Sequence, residues 1–333
     1  MSETILQVEN LKKHFVTQKG LFKSKNSILK AVDGISLSIQ RGESFALVGE
    51  SGCGKSTAGR TILNLLAPTG GKVVFEGQTL YDVENQVKLD KKSVFKLRKD
   101  MQLIFQDPYA SLDPRMNVGQ IVSEGIIKHK LRATQKEALE LAVQMLALCG
   151  LDSGSLGRYP HEFSGGQRQR IGIARALALQ PKLIVADEPV AALDVSIQAQ
   201  VLNLMTELKA QFGLTYLFIS HDLEVVRYFC DQVAVMYMGN IVEKASTEKL
   251  FDEPLHPYTK ALLSAIPKTH PRMEKQRILL KGEMPSPVNP PSGCKFHNRC
   301  PYAKEICEKE VPILEEERQD HFVACHRWRE IGS

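Results

Sequence analysis

Gly49-Glu50-Ser51-Gly52-Cys53-Gly54-Lys55-Ser56-Thr57 fits the pattern G-x-x-x-x-G-K-[ST] at every fixed position. A polyphosphate needs many N–H donors aimed at one point. Glycines let the backbone approach closely enough to supply them, and the helix that follows adds its positive end. Lys55 places a point charge on the β- and γ-phosphates, and the Ser56 hydroxyl offers one ligand to Mg²⁺. The flanks fit this reading. Ser44-Phe-Ala-Leu-Val48 has the length of a buried strand, and Thr57–Leu66 repeats apolar residues at helical spacing, giving the order strand, glycine loop, helix.

Outward from this stretch, composition narrows the class. The 333 residues are 43% hydrophobic and 24% charged, as expected for one large or two smaller globular domains. No apolar run reaches the roughly 18 residues of a spanning helix. The start, Met1–Asn10, lacks the basic and apolar regions of a signal peptide, so a cytoplasmic chain is expected. The net charge is +5, and residues 282–333 hold seven Lys/Arg against nine Asp/Glu, so the tail is no nucleic-acid arm. Lys12, Lys13, Lys19, Lys23, Lys25 and Lys30 surround an early Gly/Ser/Asn loop, read as solvated.

Residues 4–16 and 31–40 alternate apolar and polar side chains, as half-buried antiparallel strands do. Gly70–Gly77 suggests another strand with a hairpin, and 78–98 reads as an irregular surface excursion. Met101–Gln106 is a strand stopped before Asp107-Pro108. Residues 115–163 turn helical, with a capping box at Thr134–Glu137 and a helix closed by Gly150. A glycine turn at Ser164–Gln167 opens a basic helix. Leu183–Glu188 is a buried strand ending in two carboxylates, and 194–212 is an amphipathic helix. Leu214–Ser220 is a strand ending at His221-Asp222, and Val233–Met238 is the last core strand. Prolines crowd the chain from Pro254, which predicts a linker from Pro267 and a separate C-terminal appendage.

Four apolar strands thus end in polar residues: the glycine loop, Gln106, Asp187-Glu188 and His221. Hydrolysis of Mg²⁺·ATP needs this inventory, with oxygen ligands from Ser56, Asp187 and Gln106 for the metal and a carboxylate, Glu188, for the attacking water. The ordered set resembles the ATPase subunits of ABC transporters. Gly49–Thr57 matches the family's Walker A, Gln106 its Q-loop, Ser164-Gly165-Gly166-Gln167 its signature, Asp187-Glu188 its Walker B, Asp194 its D-loop and His221 its H-loop. The resemblance implies an α/β P-loop NTPase fold with a RecA-like core, an antiparallel β subdomain and a helical subdomain near 107–164, all within 1–253, with 254–333 as a cysteine-rich extension. It also implies that Glu188, His221 and Gln106 are catalytic, that Gly49 to Thr57 with Gln106 bind nucleotide, and that Ser164–Gln167 act on the nucleotide of a partner. Phe15 is the aromatic at the place expected to stack on adenine, or else an ordinary apolar strand residue.

The finer match is to the oligopeptide/dipeptide importers, carried by Gln106-Asp-Pro-Tyr-Ala-Ser-Leu-Asp-Pro114, Tyr159–Gly166, Asp194–Gln200, His256-Pro-Tyr-Thr259, Asn289–Cys294 and Arg299-Cys-Pro301. That branch implies a second, homologous ATPase subunit, two membrane permeases, an indirectly coupled peptide-binding protein, no nucleic acid, and a place on the cytoplasmic face of the inner membrane. The chain resembles the second of the two ATPases. Val190 and Ala191 depart from a frequent Thr and Ser, without removing a phosphate, metal or water ligand.

Cys53, Cys149 and Cys230 are isolated, whereas Cys294, Cys300, Cys307 and Cys325 follow C-x5-C-x6-C-x17-C. In a reducing compartment this spacing points to a metal, either a [4Fe–4S] cluster or Cys₄ zinc. The resemblance to the importer branch favours the cluster. A soluble ABC ATPase of DNA repair or translation is the rival, but neither a second cassette nor a long heptad run is present. A P-loop kinase or GTPase would leave Ser164–Gln167 without a role.

Overall fold

The computed structural model describes residues 3–17, 27–266 and 277–331. In chain order the strands are β1 (Thr4–Thr17), β2 (Ser27–Gln40), β3 (Ser44–Val48), β4 (Gly70–Phe75), β5 (Gln78–Asp82), β6 (Val87–Lys88), β7 (Met101–Ile104), β8 (Leu183–Asp187), β9 (Thr215–Ser220), β10 (Gln232–Tyr237), β11 (Asn240–Ser246), β12 (Glu315–Arg318) and β13 (His321–Val323). The helices are α1 (Lys55–Ile62), α2 (Lys91–Asp100), α3 (Val118–Lys128), α4 (Gln135–Leu148), α5 (Gly165–Leu177), α6 (Val195–Phe212), α7 (Leu223–Phe229), α8 (Thr247–Asp252), α9 (Pro257–Ser264), α10 (Glu305–Lys309) and α11 (Trp328–Ile331). Two compact units emerge, one of Met1–Glu3, Gln40–Glu43 and Leu89–Ile219, the other of Thr4–Ile39, Ser44–Lys88 and Ser220–Ser333.

In the first unit β7, β8 and β9 run parallel, with Met101 opposite Leu183 and Asp187 opposite Ile219. All five residues of β8 are buried, as expected for a parallel strand covered on both faces. Helices α3, α4 and α5 pack on one another. Asn117 and Gln120 cap the start of α3 reciprocally. At α4 the Thr134 hydroxyl accepts from the Glu137 amide, while the Glu137 carboxylate turns to the Ala133 amide at 3.0 Å rather than completing the expected box. Gly150, at φ +73°, ends that helix in the left-handed conformation. Strand β7 stops two residues short of the expected Gln106.

In the second unit the order β2-β1-β4-β5-β6 makes an antiparallel sheet. β3 pairs parallel with β10, which returns through Met238-Gly239 into antiparallel β11. Both turn residues have positive φ, the hairpin geometry whose twist suits the strands.

Two expectations are overturned. Residues 78–98 are structured, forming β5, β6 and most of α2. Strand β5 buries Leu80 and Tyr81, whose hydroxyl donates to the Thr61 carbonyl at 2.9 Å. Helix α2 escaped notice because it buries no residue and so lacks an apolar stripe; its Asp90 cap accepts from the Lys92 and Ser93 amides instead. The C-terminal segment is also no separate appendage. β13 pairs with β11, Glu243 facing Val323, and β12 pairs with β13. Lys295 Nζ reaches Asp33 at 2.9 Å and the Met238 carbonyl at 3.0 Å. The linker expected from Pro267, and Lys19, Lys23 and Lys25, lie outside the described residues.

Candidate nucleotide site

Strand β3 is wholly buried and delivers the chain into the glycine loop. Gly49 has φ +150° and Gly54 φ +108°; a Cβ at Gly49 would lie 2.2 Å from the Met236 carbonyl oxygen, and one at Gly54 2.0 Å from that of Ala31. Both positions therefore exclude any side chain. Gly54 is also the N-cap of α1 and supplies no side-chain cap, leaving the first amides of the helix for an anion. Lys55 is 4% exposed, and its ammonium donates to the Gly49 carbonyl at 2.7 Å and the Glu50 carbonyl at 3.1 Å. The Cys53 thiol is buried 3.8 Å from that ammonium, and burial pushes its pKa up. Ser51 and Gly52 are exposed on the loop, and Ser56 and Thr57 occupy the first turn of α1, half-buried.

The same unit carries Phe15 and His221. Phe15 is half-buried on β1 with Lys13 Nζ 4.7 Å from its ring centre. His221 is exposed directly after β9, and the next residue, Asp222, caps α7 through the Glu224 and Val225 amides.

In the first unit β8 ends in Asp187, 1% exposed, followed by Glu188. Glu188 stands at φ +48°, a region a non-glycine residue occupies at a cost of about 1–3 kcal/mol, and its amide donates to the Ile219 carbonyl at 2.9 Å. Its carboxylate accepts from Gln106 Nε2 at 2.8 Å, so the two residues are together. Ser164 caps α5, taking the Gln167 amide on its hydroxyl while the Gln167 side chain accepts from the Ser164 amide. Both side chains serve the helix, and Ser164, Gly165 and Gln167 are exposed. A Cβ on Gly166 would meet Ile197 Cγ2 at 2.4 Å, so glycine there lets α5 approach α6. Asp194 caps α6 through its backbone carbonyl, which accepts from the Ile197 and Gln198 amides, and it is exposed.

The four late cysteines line one small cavity together with Phe296, His297 and His326. All are free thiols. Burial pushes Cys294 up to about 12 and Cys325 up to about 11, with the neighbouring sulfurs adding to it. Among the described residues, however, no group of three or more His, Cys, Asp or Glu side chains could hold a metal ion. Sharing a cavity does not bring the thiols to a common point, so the expected metal, whether [4Fe–4S] cluster or Cys₄ zinc, has no formed ligand set among the described residues.

Sequence reasoning missed what holds the loop from outside. Glu50 is paired with Arg299 at 2.8 and 3.2 Å, and its amide donates to the Tyr258 hydroxyl at 2.9 Å. Burial opposes the Arg299 charge, but the Glu50 carboxylate outweighs it and the pKa is raised. The only available signal was that Tyr258 and Arg299 fall in motifs of the C-terminal extension.

The model of the ABC transporter family matches residues 32–191, which contain the glycine loop, Gln106, the signature and Asp187-Glu188. The oligopeptide transport ATP-binding protein AppF of Bacillus subtilis is 55% identical over 326 residues, 97% of each chain. The chain belongs to the ABC transporter ATPases. A second family model, the C-terminal region of oligopeptide/dipeptide transporters, matches residues 242–307 of this ABC ATPase. The dipeptide transport ATP-binding protein DppF of Haemophilus influenzae is 49% identical over 96% of each chain. Among solved structures, the dimeric ATP-binding cassette MJ0796 bound to ADP and Pi superposes with a TM-score of 0.63 at 28% identity, covering 73% of this chain and 99% of that one. The α/β P-loop fold and ATP with Mg²⁺ as its ligands follow from the family. No helix among the described residues is long and apolar enough to cross a membrane.

Proposed function

We propose that this ABC ATPase hydrolyses Mg²⁺·ATP to drive import of oligopeptides or dipeptides through partner permeases, bound peripherally at the cytoplasmic face of the membrane. The observation that carries the hydrolytic reading is the glycine loop, whose Gly49 and Gly54 leave no space for a Cβ and whose helix opens without a side-chain cap. The peptide reading rests on the relatives' stated roles and on the match of the C-terminal region.

In this reading the loop amides and Lys55 bind the phosphates, and Phe15 stacks on the base. Ser56, Asp187 and Gln106 hold Mg²⁺, which when bound neutralises phosphate charge. Glu188 polarises the attacking water, its carboxylate fixed by the Gln106 amide at 2.8 Å, and His221 contacts the γ-phosphate. Ser164 to Gln167 and Asp194 serve the nucleotide of a second, homologous ATPase subunit, which the exposure of Ser164, Gly165, Gln167 and Asp194 supports. The four thiols, which line one cavity, would hold a [4Fe–4S] cluster or Cys₄ zinc once drawn together around it; anaerobically purified protein should be brown for the cluster, a colourless protein holding zinc would refute the cluster, and one holding no metal would refute both.

Glu188→Gln should retain ATP binding while phosphate release falls about 10²–10⁴-fold. Lys55→Ala should instead lose binding. Turnover of Glu188→Gln within twofold of the parent would move the base elsewhere.

A further inference from the structure

The second residue of the glycine loop is fastened on three sides. The Glu50 carbonyl accepts from Lys55 within the loop, while its amide and carboxylate go to Tyr258 and Arg299. Both outside partners lie in the C-terminal region, beyond the span common to ABC transporters at large. Neither is a loose surface group. The Arg299 side chain is 8% exposed, its guanidinium lies 6.0 Å from the centre of the Tyr237 ring, and Phe296 packs on Tyr237 and Tyr258. The pair is two-pronged, with Nη1 and Nη2 each on a separate carboxylate oxygen, the geometry in which a guanidinium fixes orientation as well as charge.

Two consequences follow for an anionic ligand. A carboxylate in a phosphate cradle repels the phosphates unless a cation cancels it, and Arg299 does so. When Lys55 turns from the loop carbonyls to a phosphate, the Glu50 carbonyl keeps only the Cys53 amide at 3.3 Å, while the Tyr258 and Arg299 contacts continue to hold the Glu50 amide and carboxylate. Fixing the loop beforehand removes an ordering cost from binding.

We propose that Arg299 is a positioning residue for nucleotide binding: from the C-terminal region it neutralises Glu50 and, with Tyr258, presets the phosphate loop. The inference rests on the reading of this loop as a nucleotide cradle.

The test measures Kd of a fluorescent ATP analogue for the full chain at low and high salt, below the melting temperature of every variant. Arg299→Gln should weaken binding about tenfold, the scale of a lost charge-assisted hydrogen bond, and less at high salt. Adding Glu50→Gln should recover most of the loss, because the uncancelled carboxylate is then gone. A purely structural role would not give that rescue. Should Arg299→Gln not fold, Arg299→Lys, with the charge but without the fork, should weaken binding about threefold. A Kd within twofold of the parent in the folded Arg299 variant, or a double variant as weak as the single, would overturn the proposal while leaving the nucleotide site intact. A parent chain that binds no ATP would overturn both.

Discussion

Phe296→Ala tests whether the C-terminal segment is part of the second unit. Phe296 is 1% exposed and sits among three rings, with centroids 5.3 Å from Tyr237, 5.4 Å from Tyr258 and 5.5 Å from His256. Truncating a buried Phe costs about 3–5 kcal/mol, and the site cannot readily collapse because its walls are large rings, two of which, Tyr258 and His256, are hydrogen-bonded to backbone amides. Each ring pair contributes a further ~0.5–1.5 kcal/mol beyond area, so the upper half of that range is expected. The chain has one tryptophan, Trp328, placed in the same C-terminal segment, so its fluorescence reports the unit in question. With a urea slope of about 3 kcal/mol/M, a loss of about 4 kcal/mol moves the fluorescence midpoint down by about 1–1.5 M. Phe296→Leu, which keeps most of the volume, should move it less than half as far. A shift below about 0.3 M for Phe296→Ala would mean that the segment folds apart from Tyr237 and Tyr258, and the integrated unit described above would be wrong.

The glycine loop and the buried histidine supply two more tests. Gly54→Ala places a Cβ 2.0 Å from the Ala31 carbonyl at φ +108°, so ATP affinity should fall more than tenfold, whereas Gly52→Ala, with no atom within 4 Å, costs only its strained φ of about 1 kcal/mol; equal affinities in the two variants would refute the steric reading. His256 is fully buried, which depresses its pKa to about 4 although Glu243 lies close by. The unfolded chain, titrating near 6.5, takes up the proton first, so stability is flat above pH 6.5 and falls as pH drops toward 4, by on the order of 3 kcal/mol. His256→Asn, which keeps an acceptor for the Tyr258 amide, should flatten the pH 4–6.5 slope measured by urea unfolding; an unchanged slope would refute the assignment to His256.

What was legible in the sequence is what local rules write locally. Strand β8 shows as a run of apolar residues because both its faces are covered, and α5 shows because a glycine turn and a capping pair mark its start. The glycine loop shows best, since every fixed position answers to a steric or charge demand within nine residues. Helix α2 stayed hidden because it buries nothing, and β5 because five residues are too few to establish alternation. The hold on Glu50 was hidden for another reason. Its partners lie 208 and 249 residues away, and neither Tyr258 nor Arg299 carries a pattern that names a distant carboxylate or amide. Proline density suggested a tail set apart, yet Pro257 opens α9, a role proline fills well because its missing N–H would be unpaired there anyway, and the Tyr258 that follows it reaches the loop. Prolines thus mark where helices and turns begin, not where a unit ends; the pairing of β13 with β11 and the Arg299–Glu50 contact decide that, and both depend on the folded chain.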